Sequence, residues 1–456
     1  MSQKGHKRRL KPAHKALAAV SALVLGGGGI MIIAQGASAG QGSKAPVTAT
    51  IDCPDVGDKL TNVPQAARAD VDKKLAQLDT QIADAYQKLS TGQARGDALL
   101  GQLKQQRGQT INQLSNSIGQ SAERPKGMES LVACTMKQAA AADPADAGAA
   151  QNAAAKGAAP QGKGGPARSD FVSISSIRPN VKTPANRTGA STGSLSVQCG
   201  RNENNHFNPD NVIVAPGVSN GAHHMHDYVG NKITDAFSTN NSLAAAGTTC
   251  TNGDQSAYYW PVLRLRDGRA EKDVNAPGGG QDANVGTILK PKQVTTDFKG
   301  SPNGKVTAMP RFLRIITGDA KAFTNGPGNA NASWSCTGFE NRQLKDKYPV
   351  CPKGSDVVRT FKFQSCWDGK NIDSANHRTH VAFANANGGC PNGFKAIPQL
   401  VQRIVYAVPA GSQFAVDSFP EQLHKPVTDH GDFINVMKDG LMANAVRCIN
   451  DGRACR

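Results

Sequence analysis

Apolar positions between residues 63 and 120 recur with a seven-residue rhythm. Val71, Leu75, Leu78, Ile82, Ala85 and Leu89 are spaced by alternating steps of four and three, the seam of an amphipathic helix packed on a partner. The stretch from Ser90 to Gly96 breaks the rhythm with two glycines. Leu100, Leu103, Ile111, Leu114 and Ile118 then resume a similar stripe. Two such helices joined by a short turn predict an antiparallel, coiled-coil-like hairpin. Cys53 and Cys134 flank its ends, so the predicted subdomain spans 53–134 with a disulfide across its base. It reads equally as a spacer or partner-binding arm and as a small stabilising unit.

From Asp170 the pattern changes. Short apolar runs rich in β-branched residues alternate with clusters of Gly, Asn, Pro and Asp. Examples are Asn211–Val214, Pro261–Leu265, Arg311–Ile316 and Arg403–Val408. This texture predicts a mainly β C-terminal domain over 169–456, a sandwich or jelly roll with long loops. No strongly amphipathic helix is expected within it. Residues 138–168 are mostly Ala, Gly, Pro, Gln and Lys, with almost no large apolar side chain. Such a composition predicts a disordered linker that sets the hairpin apart.

The first 39 residues read as a secretory signal peptide or an N-terminal anchor. Six basic residues and no acid precede an apolar run from Ala16 to Ala34, and Ala37-Ser38-Ala39 offers a small-x-small cleavage site. A secreted or extracellular protein follows, with membrane contact only through this segment. The formal charge is +17, and the six charges of the leader leave roughly +11 on the rest. Those charges are scattered, and an exported chain rarely meets nucleic acid, so no nucleic-acid partner is expected. A cell-wall polymer or polysaccharide is the expected partner. The ten cysteines, Cys53, Cys134, Cys199, Cys250, Cys336, Cys351, Cys366, Cys390, Cys448 and Cys455, are even in number and none has C-x-x-C spacing. In an oxidising compartment they read as disulfides, with neighbour pairing the simplest arrangement.

Histidine carries most of the chemical information. Eight of the ten lie in the β region, most of them in three short segments. On a strand, His224 and His226 share a face, and such an H-x-H pair can hold one divalent metal. Asp373 to His380 forms a second segment, and His430-Gly431-Asp432 a third whose outer residues share a face if extended. Convergence of His224, His226, His380, His430 and Asp432 would make a catalytic or metal site, with His224, His226 and His380 as candidate ligands. Asp227 is a further catalytic candidate. Tyr228, Tyr259, Trp260, Trp367 and Arg378 are candidates for substrate contact, the rings by stacking on sugar faces. A base of the His226, Tyr228 and Arg378 type would suit a polysaccharide lyase, and paired carboxylates a hydrolase. There is no H-E-x-x-H and no phosphate-binding loop, and the β-rich texture does not suit the α/β-hydrolase fold in which a G-x-S-x-G string such as Gly189–Gly193 or Gly217–Gly221 would form a nucleophile elbow.

Several segments agree, in order, with one family. They include Val214-Ala215-Pro216-Gly217-Val218, His224-Met225-His226-Asp227, Tyr259-Trp260-Pro261-Val262-Leu263, Cys366 to Asp373, His377 to Phe383, Ile397-Pro398-Gln399-Leu400 and His430-Gly431-Asp432-Phe433. On these, residues 171–439 resemble an uncharacterised secreted domain family of actinobacteria and fungi, often joined to WSC carbohydrate-binding domains. The resemblance implies work at cell walls or on polysaccharide and assigns no activity. The expectation is therefore a secreted or surface-attached enzyme acting on extracellular polysaccharide, a hydrolase or lyase, with metal assistance open. The alternative is a non-catalytic wall-binding protein, which an exposed face of Tyr258, Tyr259 and Trp260 would favour.

Overall fold

The structure, a computed structural model, describes residues 47–140, 165–267, 269 and 271–456. The leader-like segment of 1–39 and the part of the expected linker from 141 to 164 lie outside the described residues.

The predicted hairpin consists of helices α1, Gln65–Ser90, and α2, Gly96–Gly119. Gly92 and Gly96 take left-handed φ values of 75° and 57° between them, which only glycine adopts without strain. Val71 and Leu78 pack against Ile111, Leu114 and Ile118, and Ala85 packs with Leu99 and Leu103. At the base, strands Val47–Asp52 and Thr135–Ala140 pair antiparallel beside the Cys53–Cys134 disulfide. The buried Arg107 guanidinium donates to the carbonyls of Pro54 and Leu131 at 2.9 and 2.8 Å, tying α2 to that base.

The hairpin is not set apart from the rest, as its bordering linker suggested. Ala375 of the β region joins the Val71–Leu114 cluster, and Leu423 joins Ile51 and Tyr86. Thr50 Oγ1 donates to the Glu421 carbonyl at 2.5 Å. Lys321 Nζ lies 2.7 Å from Asp79 Oδ1 and 3.3 Å from Asp55 Oδ2. A flexible connection permits docking as readily as separation, so linker composition alone does not decide between them.

The C-terminal region is mainly β. A six-stranded sheet runs Ser333–Cys336, Val357–Lys362, Gln399–Tyr406, Gln293–Lys299, Ser194–Val197, Ala454–Cys455, antiparallel except for its last pair. A five-stranded antiparallel sheet runs Arg314–Gly318, His430–Ile434, Ala257–Pro261, His226–Gly230, Phe207–Asn208. The two share one core. Leu195, Phe298, Phe361, Leu400 and Ile404 of the first pack in the same cluster as Tyr258, Trp260, Ile315 and Phe433 of the second. Between them the Arg359 guanidinium, fully buried, grips Asp429 and donates to the Pro261 carbonyl at 2.8 Å.

Two sequence expectations fail locally. Asn211–Val214 is a turn, not a strand, because the Asn211 Oδ1 accepts the amides of Ile213 and Val214 and curls the chain. A helix also exists in the β region, Asp439–Asn450, burying Met442, Ala445, Cys448 and Ile449. All ten cysteines pair with their sequence neighbours, as Cys53–Cys134, Cys199–Cys250, Cys336–Cys351, Cys366–Cys390 and Cys448–Cys455. Five disulfides suit an extracellular location. Among the described residues no helix is long and apolar enough to cross a membrane.

Candidate metal centre

The five-stranded sheet has two unlike faces, set by the period of two along each strand. Val229, Tyr258, Trp260 and Phe433 point into the shared core. His226, Tyr228, Tyr259, His430 and Asp432 point the other way. The register places Tyr259 opposite both Tyr228 and Asp432, with Gly318 opposite His430. Gly431 lies between His430 and Asp432 on the core side. A Cβ there would come within 3.1 Å of the Phe361 ring.

His224 arrives from a strained approach. Asn220 and His223 both hold left-handed φ values, 57° and 52°, costly for residues other than glycine. His223 Nδ1 is held by Asp282 at 2.7 Å, and its carbonyl accepts from Asn284 at 3.0 Å. This clamp delivers His224 beside His226 at the mouth of the strand.

Three Nε2 atoms converge. His224 to His226 is 3.2 Å, His224 to His430 3.3 Å and His226 to His430 3.5 Å. Direct hydrogen bonding does not explain all three approaches. His226 Nδ1 lies 3.0 Å from the Asp210 carbonyl and His430 Nδ1 3.0 Å from the Thr428 carbonyl. A carbonyl only accepts, so both Nδ1 atoms carry the proton and both Nε2 atoms present lone pairs. Backbone oxygens fixing the tautomer of histidines in this way is the usual support for metal ligands. Burial drives all three toward the neutral form, His430 down to about 4 and the other two well below the ordinary value.

The spacing also speaks to geometry. With metal–nitrogen bonds of about 2.0–2.1 Å, tetrahedral ligands sit about 3.3–3.4 Å apart. Ligands at right angles would be about 2.9 Å apart and opposed ones about 4.1 Å. The observed 3.2–3.5 Å matches three corners of a tetrahedron. Among the described residues the other close group, Cys199, Cys250 and Asp254, is excluded because its cysteines form a disulfide.

His224, His430 and Asp432 line a cavity of about 140 Å³. Asp432 Oδ1 accepts from Asn211 Nδ2 at 3.1 Å. Its Oδ2 has no hydrogen-bond partner and lies 3.9 Å from His430 Nε2. Burial pushes the Asp432 carboxyl up to about 7. Glu421, raised by burial to about 7, also lines the cavity with an unpartnered Oε2. The opposite wall is the hairpin, through Asp55, Leu78, Asp79 and Ile82.

Other residues singled out from sequence fall elsewhere. His380 is not a third ligand. Its Nδ1 meets Ser374 Oγ at 3.0 Å and its Nε2 the Arg314 carbonyl at 2.7 Å, so both nitrogens are taken. Asp227 follows His226 and therefore faces the core side, where its Oδ1 accepts from Asn202 at 2.6 Å. Tyr228, Tyr259 and Trp260 are fully covered, and their polar atoms bond Asn208, Asn211 and Tyr406. They offer no surface for a sugar, and the exposed aromatic face that would mark a binder is absent. Trp367 donates to the Asn371 carbonyl at 2.7 Å and packs at the edge of the main core. Arg378 does line the cavity, with both terminal nitrogens on the Gly318 carbonyl at 3.1 Å. Asn211, Lys321 and Glu421 were missed. Only Asn211 had a local signal, as the turn-forming residue ahead of an apolar run.

Residues 211–436 match the family model of a domain of unknown function, DUF1996, and this chain carries that domain. All three converging histidines and Asp432 lie within the match, whereas the hairpin lies outside it. No curated protein and no solved structure matches the chain.

Proposed function

We propose that the chain is an exported metal-dependent enzyme that hydrolyses extracellular or cell-wall polysaccharide, with His224, His226 and His430 as the ligands. The observation that carries this reading is the approach of three Nε2 atoms to 3.2–3.5 Å, two of them with lone pairs fixed by backbone carbonyls, a tripod with one corner left open. Three imidazoles with an open position characterise catalytic rather than structural zinc. When bound, such an ion acidifies a water and polarises the bond it faces. The chain's own part is to hold the tripod through the Asp210 and Thr428 carbonyls and to take a proton at Asp432 Oδ2, the bare carboxylate oxygen nearest His430. Arg378 and Glu421 supply polar contacts to the ligand in the cavity.

Hydrolysis is favoured over a lyase reaction because the Tyr228 hydroxyl is buried and bonded to Asn208 at 2.7 Å and the Asp210 carbonyl at 3.1 Å, and is not free to act as a base. Catalysis is favoured over simple binding by the burial of Tyr259 and Trp260. Export rests on the leader-like first 39 residues and the five disulfides. The polysaccharide assignment rests on the resemblance to a family whose members accompany WSC domains. Elemental analysis of the purified protein, coupled to release of reducing ends from wall polysaccharides, tests the proposal. One zinc per chain is expected, with activity lost on chelation, restored by Zn²⁺ and absent in His226→Ala. Full activity in metal-free protein would refute it.

A further inference from the structure

The three ligands are only 0–2% exposed while the hairpin is docked. The cavity above them, about 140 Å³, is of the size that takes one small ring. The hairpin closes it from one side, contributing Asp55, Leu78 and Asp79. The contact that holds the hairpin there is largely polar. Lys321 reaches across to Asp55 and Asp79. Arg68 Nη1 donates to the Asp373 carbonyl at 3.4 Å, and Thr80 Oγ1 lies 3.2 Å from His223 Nε2. Apolar contact is made by Ala375, Leu423 and Phe323. Polar interfaces of this kind are typical of parts that separate and rejoin. The hairpin keeps its own apolar clusters, its Arg107 ties and the Cys53–Cys134 disulfide, so undocking leaves its fold intact.

We propose that the hairpin is an inhibitory lid: docked, it shuts the histidine tripod away from polymer, and undocking opens the substrate cleft along Lys321, Arg378, Phe419 and Glu421. This inference rests on the tripod holding a metal. The Lys321 pairs are its latch. Asp79 is the member nearest Lys321 Nζ, so a positive charge at residue 79 sets two cations face to face and drives the hairpin off.

The test uses the full chain loaded with Co²⁺ and stripped by excess EDTA. In the unaltered protein the extraction rate should level off with EDTA concentration, because each event waits for the lid to open. In Asp79→Lys the plateau should rise tenfold or more, with Co²⁺ affinity kept. Arg68→Glu, which repels Asp373 at a separate contact, should act in the same direction and serves should Asp79→Lys fail to fold. Equal Co²⁺ binding with one common extraction rate would overturn the lid alone. No Co²⁺ bound by any of the three proteins would overturn the metal centre and the lid with it.

Discussion

Two groups of histidines look alike in the sequence and differ in the fold. His224, His226 and His430 turn their Nε2 atoms toward one another, with no acceptor or donor of the protein to satisfy all three. His380 spends both ring nitrogens on the protein, and His377 spends its Nδ1. His377 Nδ1 lies 3.0 Å from both Asp373 oxygens, and its Nε2 is 4.0 Å from Asp72. Burial opposes its protonation, but these carboxylates outweigh burial and hold its pKa above the usual value. His380 is closed by Ser374 and the Arg314 carbonyl. What separates the two groups is whether their Nε2 atoms face one another, which sequence spacing does not reveal.

The sharpest break of this comparison is a pair of alanine variants. His226→Ala should weaken zinc binding by more than the roughly 10–100-fold typical of losing an outer partner. His380→Ala should leave stoichiometry and affinity unchanged, as read by competition with a chromophoric chelator. Equal losses in both would place His380 in the centre. A second variant probes what holds the His430 strand. Arg359→Met strands the buried Asp429 beside it and should cost about 3–5 kcal/mol in urea unfolding. A change below about 1 kcal/mol would show that the pair does not anchor that strand.

Glu421 gives a pH signature distinct from the tripod. Its folded pKa, raised by burial from 4.5 to about 7, means the folded state holds the proton more tightly than the unfolded chain. That contribution is complete below about pH 4.5 and is lost as pH rises through about 7, roughly 3 kcal/mol in all. Glu421→Gln should flatten this decline between pH 5 and pH 8, and an unchanged profile would contradict the assignment. The smallest effect is expected at Ser374→Ala, which removes the hydrogen bond to His380 and the acceptor of the Arg378 and Thr379 amides. It should cost about 2 kcal/mol and leave metal affinity untouched.

How much the sequence revealed follows the range of the forces involved. The heptad positions Val71, Leu78 and Ala85 mark the hairpin because helix contacts are local. The same-face rule selected His224 with His226, and His430 with Asp432, because alternation along a strand is also local. The same rule, applied strictly, would have removed Asp227, which faces the core. His380 misled because Asp373 to Arg378 forms turns, stabilised by the Ser374 and Asn376 side chains on nearby amides. Tyr259 and Trp260 read as sugar platforms because nothing in a strand shows that both of its faces are covered. The docking of the hairpin and the roles of Lys321 and Glu421 depend on contacts across more than 200 residues, and no local pattern encodes them.

The central claim is a tetrahedral tripod formed by His224, His226 and His430. X-ray absorption at the zinc edge of the full chain, loaded with one equivalent of Zn²⁺, addresses it directly. The account predicts four light-atom ligands at about 2.0–2.1 Å, three of them imidazole by their outer-shell scattering, with that signal falling to two or fewer in His226→Ala. A six-coordinate oxygen-dominated shell, or a spectrum unchanged by His226→Ala, would contradict it.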